Sequence, residues 1–259
     1  MHLGRIWVVA RNVFLEAIRD RILYLVALFA ALMVLATVLI PEIAAGTEGK
    51  IILDVGLAGI NVLSLVITIF IGTGLINKEI EKKTVLVLIA KPVSRFEFIL
   101  GKHLGLSGVL ATVIAAFTGV FFAVLLMQGI AFPAGAILVA LLFMLLEMIL
   151  LVAVALLFGV FTSSLLATLL TFAIFLVGHL SQDIVRVGRV VDSENFQRSA
   201  RWMYLVLPDL ERLNFKNEAI YGATLLPGVG ELVVNALYAL IYTALLIIIA
   251  TNIFARRQF

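Results

Sequence analysis

Long apolar runs separated by short polar breaks dominate this chain. Six of them, at 22–41, 55–77, 103–128, 134–161, 163–182 and 232–254, reach the roughly 20 residues that a helix needs to cross a hydrocarbon layer. The first is preceded by a segment of different period. Leu3, Ile6, Trp7, Ala10, Val13, Phe14, Ala17 and Ile18 fall on one helical face over residues 2–20, with Arg5, Asn12, Glu16 and Arg19 on the other. That pattern predicts an amphipathic helix lying in the membrane interface, with Trp7 on its apolar side. The competing reading is the solvated start of the first span. Gln128-Gly129 and Pro133 break the third and fourth runs apart, and a bare Thr162-Ser163-Ser164 separates the fourth from the fifth.

Composition turns the pattern into a class. Of 259 residues, 63% are hydrophobic and only 14% charged, against about 25% charged in soluble domains. The runs are continuous and lack the alternation of outer-membrane strands. The expected fold is therefore an all-α polytopic membrane protein, one transmembrane domain over 1–259. The absence of cysteine excludes disulfides, thiolate metal sites and a cysteine nucleophile. Glu16 and Asp20 before the first run at Ile22 fit an uncleaved helix better than a signal peptide.

Charge sets the expected orientation. Arg5, Arg11, Arg19 and Arg21, six basic residues between 78 and 102, and Arg256-Arg257 put twelve of the nineteen Lys and Arg on one side. That side is read as cytoplasmic, with both termini inside. The first loop has Lys50 against Glu42, Glu48 and Asp54, and the third has no charge. The long segment 183–231 carries six basic and seven acidic residues and is assigned outside, since long segments translocate largely regardless of charge. Within it Ile184, Val187 and Val191 space helically, Pro208-Asp209 offers a turn and a helix start, and Leu225 to Gly230, broken by Pro227, reads as a re-entrant or surface-lying hairpin.

Small residues mark close helix contacts. Gly56, Gly59, Gly72 and Gly74 lie in the second span, and Gly101, Gly105, Gly108, Ala111, Ala115 and Gly119 in the third. The Gly101–Gly105 pair is a GxxxG, which favours tight packing within the subunit or in a dimer.

Catalytic chemistry is sparse. Gly101-Lys102 resembles the end of a phosphate-binding loop, but His103 stands where Ser or Thr is needed and Phe96 where the first Gly belongs. Energy from ATP therefore has to enter through a partner. Ser163 and Ser164 lack a histidine base in register. Glu147, midway along the fourth span, is the one charge deep in an apolar run. An ionisable group there costs about 2.5–3.5 kcal/mol to insert. It reads either as a substrate or proton-relay carboxylate or as a hydrogen-bonded acid facing the protein interior, with no obvious basic partner in another span. His179, near the outer end of the fifth span, is a second intramembrane polar candidate, and the three histidines form no metal-ligand spacing.

The cytoplasmic loop 78–102 holds six basic and three acidic residues around an apolar centre from Thr84 to Ala90. Its Glu79-Ile80-Glu81-Lys82-Lys83-Thr84, Lys91-Pro92-Val93-Ser94-Arg95 and Gly101-Lys102 resemble the corresponding loop of ABC-2 type ABC transporter permeases, with Lys83 where many members have Gly. The order of elements along the whole chain resembles that family too. Pro208-Asp209-Leu210-Glu211-Arg212-Leu213-Asn214 is similar to a segment in the subgroup containing the nitrous-oxide-reductase copper-site maturation permease.

The resemblance implies the type V exporter-like fold and a non-catalytic permease subunit in the cytoplasmic (inner) membrane. It also implies a coupling helix in this loop, carried by Glu81, Lys82, Lys83, Thr84, Val85, Leu86, Leu88, Ile89, Lys91, Pro92, Ser94 and Arg95. Val85, Leu86, Leu88 and Ile89 would bury against the ATPase while the charges orient the contact, and Pro92 would stiffen the exit. The implied partners are two copies of a separate ATPase, which carries the ATP and Mg, a second copy of this chain, and the bilayer. No cofactor on this chain and no nucleic acid are expected. Spans two and five would line the dimer interface. Two other functions compete: a proton-coupled secondary transporter using Glu147, and a membrane subunit with a regulatory or mechanotransmission role.

Overall fold

The computed structural model describes residues 2–19, 22–44, 46–81, 94–190, 194–222 and 225–256. They form helices α1 (Leu3–Arg19), α2 (Ile22–Ile43), α3 (Glu48–Glu81), α4 (Arg95–Met127), α5 (Ala134–Phe161), α6 (Ser164–Val190), α7 (Glu194–Val206), α8 (Lys216–Tyr221) and α9 (Val229–Arg256), with a 3₁₀ turn at Glu211–Leu213 between α7 and α8. Six of these helices, α2 to α6 and α9, are long and apolar enough to cross a membrane. The fold is all-α and polytopic.

α5 is the hub. It packs against α9, α3, α4 and α6. From Leu150 to Leu156 every side chain is buried, as expected of a helix apolar on all faces. The outer helices instead turn large apolar side chains outward, among them Leu23 and Val38 of α2 and Leu165 and Leu169 of α6. In a membrane those faces meet lipid.

α5 matches its apolar run, while α3, α4, α6 and α9 extend beyond theirs at one end or both, because hydropathy measures the hydrocarbon crossing and the backbone keeps its helix further. α3 begins at Glu48 rather than 55, where the Glu48 carboxylate accepts from the Gly46 N–H at 2.9 Å. Lys50 is then placed 5.6 Å from the Tyr221 ring centre of α8. α2 carries Pro41, the expected end, inside its last turn. Between α4 and α5 the chain reverses through Gly129, whose φ of 66° is a left-handed conformation costly to other residues. The segment assigned as an outer loop is largely helical, since α6 continues to Val190 and α7 and α8 follow. In the 225–230 stretch, read as a re-entrant or surface-lying hairpin, α9 already begins at Val229.

α1 is a separate helix laid along the start of α4. Ile6, Ala10, Val13 and Ala17 are buried, while Leu3 and Trp7 of the same apolar face stay exposed at 82% and 69%. The apolar stripe is thus divided, one part against protein and one part exposed. The glycines explain the close approach. A Cβ on Gly105 would stand 2.6 Å from the Ala10 carbonyl oxygen, and one on Gly101 would stand 2.7 Å from Cβ of Val9. Gly56 and Gly72 of α3 serve Phe121 and Ala155 in the same way. The small-residue pattern is used within the subunit at these four positions.

Candidate functional site

Two polar regions lie at opposite ends of the bundle. The near end is the base of the loop between α3 and α4. Of the candidate coupling residues, Glu81 ends α3, Ser94 and Arg95 open α4, and Lys82, Lys83, Thr84, Val85, Leu86, Leu88, Ile89, Lys91 and Pro92 lie outside the described residues. Ser94 is the N-cap of α4. Its hydroxyl accepts from the Glu97 N–H at 3.1 Å while the Glu97 carboxylate accepts from the Ser94 N–H at 3.0 Å, a complete capping box. The other Glu97 oxygen accepts from the backbone N–H of His2 at 2.8 Å, fastening the approach to α1 onto α4. Arg95 donates to the carbonyls of Phe254, at 3.0 Å, and Ala255. It thereby satisfies carbonyls that the C-terminal end of α9 leaves without helical partners. Phe98 stacks on Phe254 at 5.6 Å beneath this bond. The loop thus returns into a junction of α1, α4 and α9.

The far end is built around Asp209. It lies in the turn after Pro208 and is only 2% exposed. Its carboxylate accepts from Ser181 Oγ at 3.2 Å, Gln182 Nε2 at 3.1 Å, Tyr204 Oη at 3.2 Å and Arg212 Nε at 3.0 Å. Its own N–H donates to Tyr238 Oη at 2.8 Å. The next residue, Leu210, donates its N–H to the Gly178 carbonyl and presses so closely that a Cβ on Gly178 would meet Leu210 Cγ at 2.7 Å. The Tyr204 hydroxyl, with Asp209 behind it, raises the pKa of Arg212 above its ordinary value. These bonds stitch the 207–213 segment to α6, α7 and α9.

Beside this cluster opens a cavity of about 920 Å³, with a wall of Gln182, Arg186, Glu211, Asn214, Glu218 and Glu231 and with His179 lining it as well. His179 leads down to Glu147. The two candidates, 32 positions apart and on different helices, approach to 3.5 Å between Nε2 and Oε1. Glu147 faces protein and is 1% exposed, as expected, and α6 brings His179, which sequence did not connect with it, to its side. His179 Nδ1 lies 3.0 Å from the Phe175 carbonyl and must donate to it, which leaves Nε2 a lone pair in the neutral ring. Two acceptors facing each other at 3.5 Å repel unless a proton lies between them. One proton on either group relieves that repulsion.

A buried polar line was missed from sequence. Asn61, Ser64, Thr68 and Thr73 of α3 are all at most 5% exposed. Thr68 donates to the Ser64 carbonyl at 2.8 Å, and Thr73 meets Thr168 of α6 at 2.9 Å. The spacings of three, four and five along an apolar helix are the available signal. His103, read as the flaw in the phosphate-loop resemblance, is buried with Nε2 3.1 Å from the Ile149 carbonyl of α5. Among the described residues no three His, Asp or Glu side chains converge as a metal site would require.

A family model described as "ABC-2 family transporter protein" matches residues 7–259. No curated protein gives a significant match.

Proposed function

This chain belongs to the ABC-2 family of transporter proteins, and on that premise we propose that it is the permease subunit of an ATP-driven exporter. In this reading two copies of the chain form the pathway, and two copies of a separate ATPase dock on the 78–102 loop from the cytoplasm. ATP and Mg are bound by the ATPase. The family match across nearly the whole chain, with six spans in the expected order, carries the reading. The near-end junction supports the coupling role. Motion of the loop enters α4 at a capped, hydrogen-bonded first turn that also holds α1 and α9, so little is lost in slack backbone. Within the family we infer kinship with the nitrous-oxide-reductase maturation subgroup, on the segment from Pro208 to Asn214 whose Asp209 anchors the far end.

The test is the double substitution Leu86→Asp, Leu88→Asp in the whole chain, co-expressed with the candidate ATPase. Capture of the ATPase falls at least tenfold and ATP hydrolysis no longer drives transport. Unchanged capture and unchanged transport would overturn the coupling assignment.

A further inference from the structure

The buried polar atoms around the far-end cavity that lack a hydrogen-bond partner share one chemistry. They are Oε1 of Glu147, Nε2 of His179, Oδ1 of Asn214 and Oε2 of Glu218. All four are acceptors. Asn214 is oriented by its Nδ2, which donates to Glu211 at 3.1 Å and leaves the amide oxygen over. His179 is oriented by the Phe175 carbonyl. Glu147 and His179 face each other at 3.5 Å and share one proton, so Asn214 Oδ1 and Glu218 Oε2 on the cavity wall are the acceptors left over, and a buried acceptor without a donor selects a guest that brings N–H groups.

The charges agree. Arg212 is engaged by Asp209 and Tyr204, and Arg186 pairs with Asp183 at the rim. Lys216, Glu211 and Asp209 are the charged groups whose fields reach His179, and Lys216 and Glu211 also reach Glu147. Lys216 forms no ion pair among the described residues. Among the described residues Glu211 and Glu218 form no ion pair, and Glu147 lies below His179 at 1% exposure. A volume of about 920 Å³ accommodates a small organic molecule.

We propose that this cavity binds an organic cation carrying protonated amines, with Glu218 and Asn214 on its wall and the Glu147–His179 pair beneath it exchanging a proton on binding. The unliganded pair holds one proton between its two facing acceptors. A cation above His179 favours the deprotonated, anionic pair by Coulomb attraction, and the proton leaves through His179 to the cavity and to solvent. Cation entry and proton release are thereby coupled. Neither the binding nor the proton exchange rests on the proposed transporter function.

The whole chain in lipid nanodiscs is titrated calorimetrically with spermidine at constant ionic strength, in two buffers of different protonation enthalpy, with glutamate and triethylene glycol as controls. Spermidine binds saturably and releases up to one proton, and the controls do not bind. Glu218→Gln weakens binding at least tenfold. Glu147→Gln keeps saturable binding but abolishes proton release, a signature that a packing role does not produce. If Glu218→Gln fails to fold, Glu211→Gln replaces it with the same expectation. Heats matched by sodium chloride alone, equal binding of glutamate, or an unchanged affinity in Glu218→Gln with an unchanged proton count in Glu147→Gln would each overturn the proposal. The titration uses no ATPase, so its failure leaves the permease assignment standing, and failure of that assignment leaves the binding result standing.

Discussion

The two ends of the bundle are polar in different ways. At the near end the bonds run from side chain to backbone: Ser94 and Glu97 cap α4, Glu97 reaches His2, and Arg95 closes the end of α9. At the far end they run mainly from side chain to side chain through Asp209, beside a cavity whose wall holds Asn214 Oδ1 and Glu218 Oε2 without a donor. Main-chain bonds at helix ends fix the direction of whole helices, which suits a junction that transmits displacement. A side-chain network around a cavity can rearrange without moving a helix axis, which suits recognition. The chain also carries its own reporters of this contrast, since its two tryptophans sit one on α1 and one on α7.

The largest effect is expected at Asp209. Asp209→Ala removes the acceptor of Ser181, Gln182, Tyr204 and Arg212 together and leaves a guanidinium without its carboxylate. Arg212 is 38% exposed and keeps its bond to Tyr204, so the loss lies mainly in the hydrogen bonds to a charged acceptor, about 1.5–3 kcal/mol each. Read in single-tryptophan backgrounds, Trp202 fluorescence reports an earlier thermal transition while Trp7 holds its own. If both transitions shift together, the two ends are one cooperative unit and the contrast is lost.

The division between legible and illegible follows from what each feature depends on. Six spans and an amphipathic leader could be read directly, because crossing a bilayer needs only local length and apolarity. The partner of the Gly101–Gly105 pattern could not. Its spacing announces close approach, but the approaching residues, Val9, Ala10 and Val13, belong to α1 and share no periodicity with α4. Glu147 announced itself by its cost. His179 did not declare itself as its partner, because the pairing depends on how α5 and α6 rotate against each other. Pro208-Asp209 read as a turn, and the burial of its carboxylate became visible only with Ser181, Tyr204 and Tyr238 around it.

A smaller effect tests the glycine contact at the near end. Gly105→Leu drives a side chain into the Ala10 carbonyl and Val13, and main chain cannot yield as a flexible side chain does. Overpacking of this kind costs about 1–3 kcal/mol. The Trp7 signal shifts and the Trp202 signal does not, reversing the Asp209→Ala pattern. Gly119→Leu, on the same helix with nothing within 4 Å of its Cβ, leaves both unchanged. A Gly105→Leu variant with normal Trp7 behaviour would show that this glycine packs elsewhere.

The smallest effect falls on the cap itself. Ser94→Ala removes the hydroxyl that accepts the Glu97 N–H, and such a loss costs about 1 kcal/mol. Glu97 still holds the N–H groups of Ser94 and His2, so α1 remains fastened and only the first turn of α4 loosens. Hydrogen exchange then speeds about fivefold at the amides of residues 95–98, since about 1 kcal/mol of local opening corresponds to that factor at 25 °C. Exchange in α8 stays unchanged, and Ser94→Asp restores protection because a carboxylate caps as well as a hydroxyl. The consequence for coupling is the sharper readout. In the proposed coupling role, a loosened first turn absorbs part of each displacement delivered by the loop, so transport per ATP falls while the hydrolysis rate holds. Equal falls in both would instead mean that Ser94 acts on ATPase docking, and the near end would then be a binding surface rather than a transmitting joint.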